Sequence, residues 1–158
     1  MQSIPIFKGL DLAIAGVPES SLGSAAPVTR TALLACDYPG LRPTMVVTEG
    51  ERVALGQTLF RDKRNPRVAF VSPGSGRVKT IHRGEKRSFV ALEIALEGEN
   101  EEQFTSYPVS HLPNLSRELV VETLLASGLW PALRRRPYER IAAPDSPQIG
   151  RASCRERV

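Results

Sequence analysis

From Met45 to Leu96, short apolar stretches alternate so closely with glycine-bearing turns that no helix of ordinary length fits between them. The pattern reads Val47-x-x-Gly50-Glu51-x-Val53-x-x-Gly56-Gln57-x-Leu59, and then Ser72-Pro73-x-Ser75-Gly76-x-Val78-x-x-Ile81. Gly50, inside the charged turn Glu49-Gly50-Glu51, can adopt a positive φ at no Cβ cost. Thr58–Phe60, Val68–Val71, Arg77–Ile81 and Ser88–Leu96 read as strands. In the last of these, Val90, Leu92 and Ile94 fall on one face and Phe89, Ala91 and Glu93 on the other. Two glycine-cornered hairpins stacked face to face, with Val and Leu between them, satisfy the pattern.

The flanks differ. Ile4 to Ala15 reads as a short extended segment, Ser20 to Pro27 as a polar loop and Val28 to Ala35 as a strand. Glu97 to Gln103 reads as an acidic linker, and Phe104 to Tyr107 as one short strand. After Pro113 the period changes. Ser116 is a helix N-cap, Glu118 favours the first turn, and Leu119, Val120, Thr123, Leu124 and Ser127 recur at helical spacing up to a C′ glycine, Gly128. A second helical piece is expected over Leu129 to Arg135, ending before Pro137. The fold class is therefore mainly β then α (α+β). The expected division is a sandwich domain over 1–100 and the start of a second domain over 101–148.

Composition narrows the function classes. Aromatic residues are 6% of the chain, so the core is expected to rest on Val, Leu, Ile and Ala. No apolar run reaches the ~20 residues of a membrane span, and Met1 to Lys8 does not open a secretory leader. Two cysteines, Cys36 and Cys154, build no disulfide framework, which fits a reducing cytoplasmic compartment. The net charge of +4 invites a nucleic-acid reading, but the basic residues are dispersed with no aromatic stacking platform among them. No nucleic-acid partner is expected.

Residues 149–158, Ile-Gly-Arg-Ala-Ser-Cys-Arg-Glu-Arg-Val, change character abruptly. They match the conceptual translation of a common short-read sequencing adapter, ATC GGA AGA GCG TCG TGT AGG GAA AGA GTG, and Gln148 fits the adapter's leading AG. The reading is an artefact at the end of a truncated frame, excluded from fold reasoning. Without it the charge falls to +2, since three Arg and one Glu leave.

The Gly-bounded pattern resembles the biotinyl/lipoyl-like, or barrel-sandwich, domain. Further blocks extend the resemblance: Lys8-Gly9-Leu10-Asp11-Leu12-x-Ile14-Ala15-Gly16, Arg42-Pro43-Thr44-Met45, Phe60-x-Asp62-Lys63-x-Asn65-Pro66, Arg83-Gly84-Glu85-Lys86-Arg87 and Ser127-Gly128-Leu129-Trp130-x-Ala132-Leu133-Arg134-x-Arg136-Pro137. Over Ile4 to Gln148 the chain is similar to the N-terminal part of the A-type subunits of sodium-translocating NADH:quinone reductases. That resemblance implies a peripheral subunit on the cytoplasmic face of a bacterial inner membrane. It would belong to a complex that passes electrons from NADH to ubiquinone and exports sodium, and would bind no flavin or iron–sulfur centre itself. Partners would be the other, especially membrane-embedded, subunits, and possible quinone. In flavin-binding relatives the segment corresponding to Gly128–Arg136 is a Gly-rich loop near the flavin phosphate. Here Leu129, Trp130 and Pro131 would obstruct such an approach.

No catalytic residue and no metal site is expected, and cofactor-binding residues stay unassigned. Lys63 lies near the position of the carrier lysine of biotinyl/lipoyl domains, but the Met-Lys-Met and Asp-Lys-Ala patterns are missing, so it reads as a solvated turn. A free-standing carrier or binding module is the alternative function. An electron-transfer subunit of ferredoxin-linked complexes would need cysteine-rich motifs beyond this stretch. His82 and His111 are too isolated to form a metal pair. Cys36 reads as a buried small hydrophobe and Trp130 as a packing anchor. Arg134-Arg135-Arg136 reads as a solvated helix end. Asp11, Glu51 and Glu85 show no acid–base pairing.

Overall fold

The computed structural model describes residues 15–16, 19–21 and 23–145. The expectations for the segment before Ala15, for Asp11 and for the tail 149–158 lie outside the described residues. Within the described residues nine strands and one α-helix follow one another: β1 Arg30–Leu34, β2 Pro43–Met45, β3 Arg52–Val53, β4 Thr58–Asp62, β5 Ala69–Val71, β6 Gly76–Arg83, β7 Phe89–Leu96, α1 Arg117–Ala126, β8 Arg134–Arg135 and β9 Arg140–Ile141.

One sheet has the order β1-β7-β6-β3 and a second β2-β4-β5, both antiparallel, and β8 pairs with β9. The turns at Gly50 and Gly56 (φ +85° and +84°) do not close a hairpin, contrary to expectation. Each carries the chain between sheets, from β2 to β3 and back to β4, and Ser72–Gly76 crosses again from β5 to β6. These three crossings lace the two sheets into a closed sandwich.

The core corrects the composition argument. Few as they are, the aromatics gather at its centre: Phe60 stacks on Phe70 at 4.7 Å, Phe89 tilts against Phe60 at 5.2 Å, and Tyr38 meets Phe70 edge-on at 4.9 Å. Leu59, Val68, Val78, Leu92 and Ile94 surround them, fully buried. Strict alternation in β7 also fails. His82 pairs with Ala91 but Arg83 with Phe89, so Val90 is one residue too many for its partner strand. A bulge of this kind flips the side chains beyond it. Val90 is 48% exposed, and Phe89 turns onto the core face with Leu92 and Ile94.

The segment after residue 100 is tied down. Leu55 and Glu101 form a parallel bridge, with Leu55 N–H donating to the Asn100 carbonyl and Glu102 N–H to that of Leu55. This bridge replaces the strand expected at 104–107; the Phe104 ring instead covers Gly56. Helix α1 starts as its sequence dictates, with Leu119 N–H donating to Ser116 Oγ at 3.2 Å, and Gly128 beyond its end at φ +69°. Ser116→Ala should cost about 1 kcal/mol, read as a lower midpoint in urea unfolding with unchanged slope. The stripe turned to the core is the buried Leu125 with the half-buried Val121 and Leu124, whereas Leu119 and Val120 are each 39% exposed, so the expected apolar face is rotated. The second helix does not form. Trp130–Ala132 is a 3-10 turn and the chain then forms the β8–β9 hairpin, because Arg136 before Pro137 is steered from helical to extended backbone.

Candidate functional site

Buried side chains of the sandwich and of the segment 115–145 converge at the seam between the two. Leu125 and Trp130 are buried within the same apolar cluster as Phe60, Phe70 and Val68. Gly128 lies so close to β5 that a Cβ there would meet both Val71 methyls at 2.6 Å. Trp130, 4% exposed, donates its Nε1–H to the Ala142 carbonyl at 2.7 Å. The expected packing anchor is thus found, placed in a 3-10 turn. Its ring points into the core and cannot block the outside of the Gly128–Arg136 segment. Leu129, 60% exposed, is the side chain that projects there, and Pro131 is buried. Trp130 and Gly128 thus pin this segment to the core of the sandwich.

Arg67 closes the seam electrostatically. From the β4–β5 turn it pairs with Glu122 of α1 at 2.5 Å and with Asp145. Its partners lie 55 and 78 residues away in sequence, so no spacing rule could have marked it. Exposed pairs of this type contribute little individually; these two, on one guanidinium, join the β4–β5 turn to α1 through Glu122 and to the segment after β9 through Asp145.

Tyr38 carries no signal in the sequence either. Its ring lies under the Arg134 guanidinium at 5.0 Å. Burial pushes the Tyr38 hydroxyl up, with Arg134 opposing and Asp37 adding to the shift. Arg134 is held by the Pro131 and Glu139 carbonyls. It sits in the β8–β9 hairpin and not on the expected helix end. Between this hairpin and the turn after β1 opens a cleft of about 920 Å³, lined by Cys36, Asp37, Arg134, Arg136, Pro137 and Glu139. Cys36 is exposed, contrary to expectation, because the turn Ala35–Asp37 leaves the sheet and has no buried residue.

Lys63 is exposed on the β4–β5 turn. The buried Asp62 closes that turn by accepting from Arg64 N–H and Asn65 Nδ2. His82 lies on β6 and His111 in a separate 3-10 turn, and the structure does not bring them together. Glu51 caps its own turn by accepting from Thr48 N–H and Oγ1, and Glu85 lies in an exposed turn. Among the described residues no group of three His, Cys, Asp or Glu side chains could hold a metal, and no helix is long and apolar enough to cross a membrane.

One further cluster lies on the outer face of the larger sheet, where Arg30, Lys79 and His82 surround Glu93. Desolvation pushes the Glu93 carboxyl up, but hydrogen bonds from Lys79, His82 and Arg30 and the Lys79 charge outweigh it and hold it below its ordinary value. A depressed carboxylate stabilises the fold above its unfolded pKa of about 4.3, and that stability is lost as pH falls through the folded value. Thermal midpoints of the parent and of Glu93→Gln should therefore converge as acid is added and separate near neutrality.

These features define a class: a laced β sandwich sharing its core with the first helix and hairpin of a following α/β segment, built around packing contacts. The chain belongs to the family of the NqrA N-terminal barrel-sandwich hybrid domain, whose model matches residues 4–97; that of the NqrA second alpha/beta domain matches 115–149. Similar relatives are the A-type subunits of the Na(+)-translocating NADH-quinone reductases of Pseudomonas aeruginosa (strain UCBPP-PA14), 49% identical over 143 residues, of Hahella chejuensis, 50% identical over 143, and of Serratia proteamaculans, 50% identical over 145. Each match covers 90% of this chain and 32% of the relative. The chain therefore spans about a third of the length of the curated relatives it matches.

Proposed function

We propose that this chain supplies the N-terminal sandwich and the opening of the second domain to the NqrA component of a sodium-translocating NADH:quinone reductase. In that role it is an assembly module. It binds no flavin or iron–sulfur centre of its own, and the complex around it passes electrons from NADH to ubiquinone and exports sodium. The sandwich runs through residue 100 and the second domain opens at 101. The NqrA component is peripheral, on the cytoplasmic face of the inner membrane, bound to membrane-embedded partner subunits. One observation supports this reading most: near-half identity extends through both the sandwich and the seam that joins it to α1 and the β8–β9 hairpin. Deleting the gene should abolish assembly of a flavin-containing, quinone-reducing membrane complex. A deletion strain that pumps sodium and reduces quinone normally would overturn the reading.

A second reading, a biotinyl- or lipoyl-type carrier, has the exposure of Lys63 in its favour. Intact-mass spectrometry of the protein from its native host separates the two. The assembly reading expects the unmodified mass, and a biotinyl or lipoyl increment on Lys63 would favour the carrier.

A further inference from the structure

The turn after β1, the β4–β5 turn and the β8–β9 hairpin meet at one end of the molecule. Lys63 N–H donates to the Arg42 carbonyl at 2.7 Å, joining the first two. Arg64 and Arg140 converge on Gly40, where their side-chain nitrogens lie 3.4 and 3.9 Å from the position of a Cβ, so all three segments meet there. Arg134 and Arg136 line the adjoining cleft. Lys63, Arg64, Arg134, Arg136 and Arg140 are all exposed.

Among the described residues, the ion pairs engage Arg30, Arg52, Arg67, Lys79 and His82, and none engages these five cations. Their convergence at one end sets them apart, since Arg42, Arg61, Arg77, Arg83, Lys86, Arg87, Arg117 and Arg135 take part in none of these ion pairs either. The neighbouring carboxylates are Asp37 and Glu139 in the cleft, and Asp62, whose oxygens are occupied in closing its turn. Two guanidinium groups drawn to one glycine repel each other at this range, and an external anion would relieve that repulsion. At the tip of the hairpin, between Arg136 and Arg140, stands Tyr138, 74% exposed. An exposed tyrosine amid cations suits a headgroup layer, where the ring sits at the interface and the cations meet phosphates.

We propose that this end of the molecule is a docking surface for an anionic lipid bilayer. It rests on the patch alone, so it stands or falls apart from the family assignment. Each cation near such a surface multiplies binding by about fivefold, and salt screens the effect.

The full chain is sedimented with vesicles of phosphatidylglycerol and phosphatidylcholine, and with phosphatidylcholine alone. Binding should appear only with the anionic vesicles and fade with added salt. Arg136→Glu with Arg140→Glu should lower the partition coefficient at least tenfold, as should Lys63→Glu with Arg64→Glu on the facing turn. The two pairs lie on different segments, so misfolding of one leaves the other as a test. Arg52→Glu with Arg77→Glu, the same charge change on the sheet, should leave binding close to that of the parent. Tyr138→Ala should weaken it several-fold. An equal loss in the sheet pair, or no binding to anionic vesicles, would overturn the proposal. Binding to soluble polyglutamate without binding to vesicles would overturn it in favour of an acidic protein partner.

Discussion

Replacing Trp130 by alanine should lower the free energy of unfolding by about 3–5 kcal/mol, the range for a fully packed aromatic. Two losses combine. The ring leaves a hole in an apolar cluster that contains Leu125, Phe60 and Phe70, and a cavity in a well-packed interior collapses only in part. The Ala142 carbonyl also loses its 2.7 Å donor in a place where Ala142 itself is 3% exposed, which costs about 1–3 kcal/mol when no replacement arrives. Trp130→Phe separates the terms, since it keeps most of the volume and removes the N–H. It should cost only the hydrogen-bond share. Urea unfolding followed by far-ultraviolet circular dichroism checks both, because the fluorescence of the one tryptophan is lost in each. The shape of the transition matters as much as its midpoint. Leu125 and Trp130 belong to the cluster of the sandwich, so Trp130→Ala should shift a single transition. An early second step carrying only the helical signal would show that α1 and the hairpin unfold apart from the sheets.

Such a shared core could not be read along the chain. The sequence marks what is local: the N-cap Ser116 three residues before the amide it accepts from, Gly128 just past the helix end, and strand positions set by alternation and turns. It also carried the family through blocks of short motifs. Partner choice is another matter. β1 pairs with β7, Thr31 facing Ile94 far along the chain, and Arg67 reaches Glu122 and Asp145. Neither periodicity nor spacing encodes such distances. The errors have the same origin. Leu119 and Val120 have helical spacing but lie away from β5, so the docking of α1, which the spacing does not contain, decides which stripe is buried. One extra residue at Val90 reverses a face that strict alternation puts elsewhere. Arg134 to Arg136 look like a cationic helix end, and Pro137 makes them the first arm of a hairpin. Even the patch at that end needs the turn at Lys63 and Arg64 to be visible as a patch.

Gly76→Ala should be more damaging than a change of one methyl suggests, with a loss above about 3 kcal/mol, beyond ordinary overpacking. Gly76 opens β6 and is paired on both sides, with Val53 of β3 and with Leu96 of β7. A Cβ there would press into the Ala95 carbonyl oxygen and come within 2.9 Å of its carbon and 3.0 Å of Leu96 Cα. These are backbone atoms of the central strand, and they can withdraw only by breaking the ladder that holds β6 to β7. Gly50 supplies the control. Nothing lies within 4 Å of its would-be Cβ, but its φ is +85°, so Gly50→Ala should cost only the left-handed penalty of about 1–2 kcal/mol. Two glycines of one motif are thus required for different reasons, one for conformation and one for space. The discriminating measurement is D-alanine at position 50 by semisynthesis. D-alanine tolerates positive φ, so it should restore stability there. Wild-type stability of Gly76→Ala would show that β6 and β7 do not approach there as closely as the pairing of Gly76 with Leu96 requires.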